Sequence, residues 1–347
     1  MKRHLLFALM TFLFVTVYSQ EKKYALYGVG FYNLENLFDT SHDEGKNDYE
    51  YLPEGKNKWD DSKYKSKLKN MSEVLSLLAT DKLPMGAAII GVSEVENRRV
   101  LEDLIAQPAL ADRGYEIIHY EGVDVRGVDC AFLYNPKLFQ VETSRLVPYI
   151  PEDNDTTYKT RGFLIASGTM GGDKIAFIVN HWPSRAAASP ARERAGVQVR
   201  ALKDSLLQNN PDIKVVIMGD MNDDPMDKSM SVALGAKRKA KETGKTDLFN
   251  PWWDTLKKGY GTLMYQGKWN LFDQIVFTGN MLNPDRKTLT YYKHEIFKRD
   301  FMFQTEGRYK GYPKRTHAGG VWLNGYSDHL PTVVYFIKEI PLVGTLN

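Results

Sequence analysis

The sequence predicts a layered α/β fold with a large β-sheet content. Strand-like apolar runs alternate with amphipathic helices, and several runs are continuously apolar, as expected for strands covered on both faces. No Gly/Ser-rich linker divides the chain. Hydrophobic residues make up 43% and charged residues 26% of the 347 residues, a composition typical of globular proteins. We therefore expect one α/β domain over residues 24–342.

The N-terminal segment has the pattern of an export signal. Lys2 and Arg3 precede an apolar run that ends near Tyr18, and small residues near Ser19 suit a cleavage site. The run is shorter than the roughly 18 residues that a membrane-spanning helix needs. We predict that residues 1–19 are a signal peptide and that the mature protein is exported to the periplasm or the cell exterior. A retained N-terminal anchor is the alternative.

Charge and cysteine content narrow the classes of partner. The formal net charge is +3, and loss of the basic N-terminus leaves the protein nearly neutral, so total charge does not favour nucleic acid. Two basic runs, KRKAKETGK from Lys237 and RYKGYPKR from Arg308, are interpreted as solvated surface. The single cysteine, Cys130, excludes an intramolecular disulfide and lies in an apolar run. No feature requires an obligate protein partner, and we expect a monomer.

Nine apolar runs are predicted as strands, and two segments between them as helices. One helix covers Tyr64 to Leu78 behind an N-cap at Asp61, with apolar residues at helical spacing. The other covers Pro190 to Leu207, with the proline in its first turn. The predicted strands begin at Tyr24, Gly86, Tyr115, Cys130, Gly162, Lys174, Lys214, Asp273 and Thr332.

Polar and charged residues gather at the ends of these strands. Any one of them has an alternative interpretation as a turn residue, a helix cap or a surface ion pair. Six such groups, each beside an apolar strand, are better explained by a shared site, because strand ends converge at one edge of an α/β sheet. The residues are Asn33, Glu35, Glu94, Glu96, Asn180, His181, Arg185, Asp220, Asn222, Asp273, Asp328 and His329.

The residue types at the strand ends limit the chemistry. Carboxylates without a cysteine cluster or an HExxH motif favour a hard cation, Mg²⁺ or Mn²⁺, over zinc. The absence of GxxxxGK[ST] argues against a nucleoside triphosphatase, and the absence of GxSxG argues against a serine hydrolase. A metal ion with histidines, aspartates and asparagines suits the hydrolysis of a phosphate ester.

The order of these motifs resembles the endonuclease/exonuclease/phosphatase superfamily. FYNLENLF, IIGVSEVEN, DCAFLYNP, VNHWPSR, VIMGDMNDDP, FDQIVF and YSDHLP follow one another, and GDMND and SDHLP are the most specific. The superfamily includes DNase I-like nucleases, abasic-site endonucleases, inositol-polyphosphate phosphatases and neutral sphingomyelinases. The resemblance implies a four-layer α/β sandwich of the DNase I type, with two central, mostly antiparallel or mixed sheets flanked by helices.

The resemblance also implies a role for each residue on the metal side of the site. Glu94 is similar to the main metal ligand, with Asn33 beside it, and Asp328 is placed on the metal side. Asp220 resembles the residue that orients or deprotonates the attacking water. Asn222 resembles the amide that binds a phosphate oxygen. The implied cofactor is Mg²⁺ or Mn²⁺.

Further roles concern the phosphate. His329 resembles the catalytic histidine, and Asp273 resembles the carboxylate that holds its ring and favours its charged form. Asn180 and His181 match a second phosphate-contacting position. Arg185 and Arg315 are candidate phosphate clamps, although arginines in loops often serve structure.

Three functions remain open from the sequence. We expect an exported phosphodiesterase that acts on nucleic acid, DNA or RNA, or on a related phosphodiester. The first alternative is a phosphomonoesterase acting on a small phosphorylated metabolite or a lipid head group. The second is a catalytically silent binding protein of the same fold, against which the retained polar residues argue. The stretch KWNLFDQIVF lacks the cysteine and arginine that inositol phosphatases carry there, which argues against that substrate.

Overall fold

The computed structural model describes residues 22–340, which form a mixed α/β fold with two large β-sheets flanked by helices. The predicted α/β class is confirmed. The predicted signal peptide, residues 1–19, and the last two residues of the predicted domain, 341 and 342, lie outside this range. Within the described range, no helix is long and apolar enough to span a membrane.

Strands and helices alternate along the described chain, and all nine strands predicted from apolar runs are present. The helices are α1 (Asp61–Leu77), α2 (Arg98–Ile105), α3 (Pro108–Ala111), α4 (Ser189–Asn209) and α5 (Trp253–Lys257). The strands are β1 (Lys23–Leu37), β2 (Ile89–Val95), β3 (Glu116–His119), β4 (Asp129–Tyr134), β5 (Phe139–Val147), β6 (Phe163–Met170), β7 (Asp173–His181), β8 (Lys214–Asp220), β9 (Ala236–Lys237), β10 (Leu248–Phe249), β11 (Leu263–Tyr265), β12 (Lys268–Asn270), β13 (Asp273–Thr278), β14 (Thr290–Ile296), β15 (His317–Ala318), β16 (Val321–Trp322) and β17 (Thr332–Ile340).

The first sheet has the strand order β14-β17-β1-β2-β4-β3. β1 and β2 run parallel, so their carboxyl ends meet at the same edge. β17 runs antiparallel to β1, and Thr332 at its start pairs with Phe31. The start of β17 therefore lies at the edge where β1 and β2 end.

The second sheet has the order β5-β6-β7-β8-β13-β10-β9. β7 and β8 run parallel, with His181 paired to Asp220 at their carboxyl ends. β13 runs antiparallel to β8, and its first residue, Asp273, also pairs with Asp220. One edge of this sheet thus collects the ends of two strands and the start of a third.

An apolar cluster joins the facing surfaces of the two sheets. Phe31 and Phe132 of the first sheet share this cluster with Phe177 and Met218 of the second. All four side chains are fully buried, and burying a side chain of this size contributes about 1.5–3 kcal/mol. The sheets are held face to face by this interior layer.

Helices cover the outer faces of both sheets. Leu68 and Met71 of α1 share a buried cluster with Val92 of β2. Val199 of α4 shares another with Ile178 of β7. The order helix, sheet, sheet, helix is the four-layer sandwich that the resemblance implied.

Both predicted helices are present, with shifted boundaries. α1 begins earlier than predicted because the side chain of Asp60, and not Asp61, accepts the hydrogen bond of the Lys63 backbone N–H. α4 extends the predicted segment by a residue at its start and two at its end.

The strands β5 and β14 carry no continuous apolar run, and the sequence did not predict them. Each lies at one edge of its sheet. The residues of β5 alternate between exposed and partly buried positions, and β14 is mostly half-buried. An edge strand covered on one face needs few apolar residues, so its sequence resembles a loop.

Candidate active site

Six of the polar residues predicted at strand ends converge at one edge of the sandwich. Parallel strands bring their carboxyl ends to this edge, and antiparallel strands bring their starts to it. β1, β2, β7 and β8 end here, whereas β13 and β17 begin here or just beyond. The side chains supplied in this way are Asn33, Glu94, His181, Asp220, Asp273 and His329.

Glu94, His181 and Asp220 form a compact group of metal-ligating atoms. His181 Nε2 lies 3.7 Å from Glu94 Oε1 and 3.7 Å from Asp220 Oδ2. The three ligating atoms lie within 4.8 Å of one another. Asn33 connects the two carboxylates, because its Nδ2 donates to Asp220 Oδ2 at 3.0 Å and to Glu94 Oε1 at 3.3 Å.

The electrostatics of this group fit a divalent cation. Burial raises the pKa of Asp220 to about 7, the nearby charges of Asp273 and Glu94 add to the increase, and His329 opposes it. Two neighbouring carboxylates and an imidazole are donors that bind divalent cations in proteins. Asn33 turns its Nδ2 toward the carboxylates and its Oδ1 toward the Glu35 N–H, so in this geometry it orients them. A cation at this position would offset the negative charge of the buried carboxylates.

Backbone strain is concentrated beside Glu94. Glu94 has φ 59°, and Glu35 and Asn36 have φ 48° and 55°, all in the left-handed region. The pairing registers shift here, between Asn33 and Leu37 in β1 and across Glu94 in β2. Such bulges re-aim a side chain, and here the Asn36 N–H donates to Glu94 Oε2 at 3.0 Å.

His329 and Asp273 form a buried ion pair. His329 Nδ1 lies 2.7 Å from Asp273 Oδ2, and Asp273 is fully buried. Burial alone would lower the pKa of His329, but the charges of Asp273 and Asp220 outweigh it and raise the pKa well above its ordinary value. The other ring nitrogen, Nε2, lies 3.8 Å from Asp220 Oδ2. His329 is thus held as an imidazolium beside the metal-ligating group.

Asn222 is positioned by its neighbours on the loop after β8. Its backbone N–H donates to Asp220 Oδ1 at 2.9 Å, and its Nδ2 donates to the Trp182 carbonyl at 3.0 Å. Its φ of 51° lies in the left-handed region. The side chain is partly exposed at the edge of the cluster, as a phosphate contact requires.

Arg315 reaches the site from a distant loop. Its Nε donates to Glu35 Oε1 at 3.1 Å and its Nη2 donates to Asp328 Oδ2 at 2.7 Å, while 48% of the side chain is exposed. Asp328, predicted on the metal side, is instead bonded to Arg315 and is absent from the metal-ligating groups found among the described residues. Metal binding by Asp328 stays a prediction without support from this geometry.

A buried lysine supports Arg315 through Glu35. Burial raises the pKa of Glu35 to about 7. The charge of Asp328 also raises this pKa, and the charges of Lys67 and Arg315 lower it. Lys67 Nζ donates to Thr316 Oγ1 at 2.6 Å and lies 3.9 Å from Glu35. In the sequence, Lys67 stands between Tyr64 and Met71 on the apolar face of α1. A lysine at such a position is the one local signal of its buried role.

Two predicted substrate contacts lie elsewhere. Asn180 is fully buried, its Nδ2 donates to the Met218 carbonyl at 3.0 Å, and strand alternation turns it away from the face that carries His181. Arg185 donates to the Asn222 carbonyl at 3.1 Å and to Asp227 at 3.0 Å, so it braces the loop after β8. Neither residue is brought into the cluster.

Arg161 is a site residue that the sequence analysis missed. It is buried, and it donates to the Trp182 carbonyl at 2.8 Å and to Asp124 at 2.9 Å. The pKa of His181 lies well below its ordinary value because of burial and, secondarily, the charges of Arg161 and Arg126. A lowered pKa favours the neutral imidazole, which can bind a cation, so His181, predicted as a phosphate contact, lies instead among the metal-ligating atoms. Arg161 lies just before β6 and belongs to none of the strand-end motifs, so the sequence did not indicate its role.

Comparisons with known proteins agree with this geometry. The model of the Endonuclease/Exonuclease/phosphatase family matches residues 28–338. No curated protein matches the sequence.

Several solved structures are similar in fold. A family protein from Bacteroides thetaiotaomicron is 15% identical, with a TM-score of 0.57, and the match covers 93% of this chain and 98% of that one. D. rerio TDP2 complexed with a single-strand DNA product is 16% identical, with a TM-score of 0.54 and coverage of 90% and 99%. The B. thetaiotaomicron mannosyl-6-phosphatase is 16% identical, with a TM-score of 0.54 and coverage of 89% and 98%.

Proposed function

This chain belongs to the endonuclease/exonuclease/phosphatase family, and we propose that it is a Mg²⁺-dependent phosphodiesterase that hydrolyses nucleic-acid phosphodiester bonds. Members of the family hydrolyse phosphoesters with a divalent metal ion, so the chain is a phosphoester hydrolase. One observation carries the proposed chemistry. Asp220 belongs both to the group with Glu94 and His181 and to the group with Asp273 and His329. A phosphate at Asp220 would meet metal-ligating residues and an acid–base pair together.

The first group suits the metal. Glu94, His181 and Asp220 would hold the ion, with Asn33 beside them. A bound divalent cation neutralises phosphate charge. Asn33 Oδ1 accepts the Glu35 N–H at 2.8 Å, which fixes the amide beside both carboxylates.

The second group suits proton transfer. Asp220 belongs to both groups, so its carboxylate is placed to orient an attacking water beside the ion and accept its proton. The raised pKa of His329 favours the doubly protonated ring, and its Nε2 faces Asp220 Oδ2 at 3.8 Å, so it is placed to donate to a phosphate or leaving-group oxygen. Asp273 holds the ring through Nδ1 and stabilises the imidazolium.

Two residues suit phosphate binding. Asn222 presents its amide at the edge of the cluster, and Arg315 presents a half-exposed guanidinium beside Asp328. An arginine offers paired N–H donors that match the geometry of phosphate oxygens.

The experiment that tests the proposal measures hydrolysis of bis(4-nitrophenyl) phosphate and 4-nitrophenyl phosphate with Mg²⁺, Mn²⁺ or EDTA. A phosphodiesterase cleaves the diester faster. Plasmid, single-stranded DNA and RNA then identify the polymer. No cleavage of any phosphoester with either metal ion would contradict the proposal.

A phosphomonoesterase is the second candidate. The observation that favours it is a pocket of ≈ 890 Å³ beside Arg315 and Asp328, within the range of about 300–1,000 Å³ typical of small-molecule sites. Faster cleavage of the monoester in the same assay would support it.

We also propose that the protein is exported and acts as a monomer. The basic and apolar N-terminus supports export. Light scattering of the purified protein would test the monomer, and a stable dimer at micromolar concentration would contradict it.

A further inference from the structure

A pocket of ≈ 890 Å³ opens beside the candidate active site. We call it the tyrosine pocket. One wall is the hairpin of β11 and β12, and the other is the loop before β15. The two walls are joined, because the Gly267 N–H donates to Tyr312 Oη at 2.6 Å. Its lining includes Tyr265, Arg308, Tyr309, Tyr312, Arg315 and Asp328.

Two tyrosines of the pocket are exposed to solvent. Tyr265 is 65% exposed and Tyr309 is 46% exposed. Tyr309 packs edge-on against Tyr312, with ring centroids 5.4 Å apart, so its ring is supported while it remains accessible. Exposed aromatic faces in a pocket are suited to stack on a planar ring.

The charges around the pocket are mixed but include accessible arginines. Arg308 lies 5.6 Å from the Tyr309 ring centroid, and Arg315 lies where the pocket meets the active site. The acids of the lining are Glu306 and Asp328, and Asp328 is bonded to Arg315. The basic run RYKGYPKR, interpreted from sequence as solvated surface, therefore supplies one wall of a pocket.

We propose that the tyrosine pocket binds the nucleoside next to the scissile phosphate, at the end of a single-stranded nucleic acid. This inference rests on the proposed function. Accessible tyrosines with arginines beside them, as in this pocket, are suited to bind single strands by stacking and charge. A pocket of this size has room for a nucleoside. The nearly neutral net charge does not favour long duplexes, whose binding depends on many phosphate contacts from Lys and Arg.

Two chromogenic diesters with the same leaving group test the inference. Thymidine 5′-(4-nitrophenyl phosphate) carries a nucleoside, and methyl 4-nitrophenyl phosphate carries a methyl group instead. The wild type is expected to prefer the nucleoside ester in kcat/KM. The double variant Tyr265→Ala/Tyr309→Ala is expected to lower that preference about tenfold or more.

Two further variants separate stacking from other effects. Tyr265→Phe/Tyr309→Phe keeps the ring faces and is expected to keep the preference. Tyr292→Ala removes an exposed tyrosine of β14 that does not line the pocket, and it is the matched control. Equal loss on both esters in the alanine variant, with the preference intact, would overturn the inference.

Direct binding keeps the inference testable if the proposed function fails. In that case neither ester is cleaved by the wild type with Mg²⁺ or Mn²⁺. The anisotropy of a fluorescein-labelled dT₄ then reports binding, and the alanine variant is expected to bind at least about tenfold more weakly. Equal binding by both proteins, or displacement by mannose 6-phosphate but not by thymidine 5′-monophosphate, would overturn the inference.

Discussion

Replacing Asp273 by asparagine is expected to change both stability and the pH dependence of turnover. Asp273 is fully buried and lies 2.7 Å from His329 Nδ1. Removing one partner of a buried ion pair typically costs about 3–5 kcal/mol. Because His329 can release its proton, we expect the lower end of this range. The asparagine retains the shape of the site, so the fold should remain intact.

The direction of the pH dependence follows from the raised pKa of His329. The stabilisation from its ion pair is complete below the unfolded pKa of about 6.5 and is lost as pH rises through the folded pKa. In EDTA, the destabilisation by Asp273→Asn should therefore be greater at pH 6 than at pH 10. In turnover, the alkaline limb of the kcat/KM profile should move to lower pH, because the variant loses the imidazolium earlier.

Urea unfolding in EDTA and pH profiles of bis(4-nitrophenyl) phosphate hydrolysis measure the two effects. Asp254→Asn is the matched control, because Asp254 is exposed and pairs with Arg238 away from the strand ends that form the site. An alkaline limb at the wild-type position in Asp273→Asn would refute the proposed role of the pair.

Three other predictions concern the site, its support and export. His329→Ala should lower kcat by about 10²–10⁴-fold, and adding Asp273→Asn should cost little more because paired residues act as one unit; additive losses in steady-state kinetics would contradict this. Lys67→Met should lower the free energy of unfolding by about 1–3 kcal/mol, because the buried oxygens that accept hydrogen bonds from Lys67 lose their donor. Urea unfolding that matches the wild type would contradict this prediction. N-terminal sequencing of exported protein should begin near Gln20, and an intact leader would contradict export.

Sequence reasoning succeeded where local pattern and burial coincide. β2 and β8 are almost completely buried, so their continuous apolar runs marked them as strands and marked Glu94 and Asp220 as strand-end residues. The convergence of these ends then follows from sheet topology. This is why the fold class and the central cluster were accessible without a structure.

The supporting contacts were not accessible because they join distant parts of the chain. Glu35 and Arg315 are 280 positions apart, and nothing local to either predicts their hydrogen bond. Asn180 was misplaced because it sits beside His181, and adjacent strand residues point to opposite faces. Whether a strand-end residue enters the site depends on the face to which its side chain points, and a sequence motif does not specify that face.

The central claim is that Glu94 helps to hold the metal ion on which hydrolysis depends. Glu96→Gln is the matched control, because Glu96 lies two residues from Glu94. Burial raises the pKa of Glu96 to about 9, so a glutamine at this position resembles the protonated side chain. Hydrolysis of bis(4-nitrophenyl) phosphate should be measured across a Mg²⁺ titration and in EDTA. We predict that EDTA abolishes activity, that Glu94→Gln loses at least about 10²-fold, and that Glu96→Gln stays close to wild type. Wild-type turnover by Glu94→Gln across the titration would contradict the account.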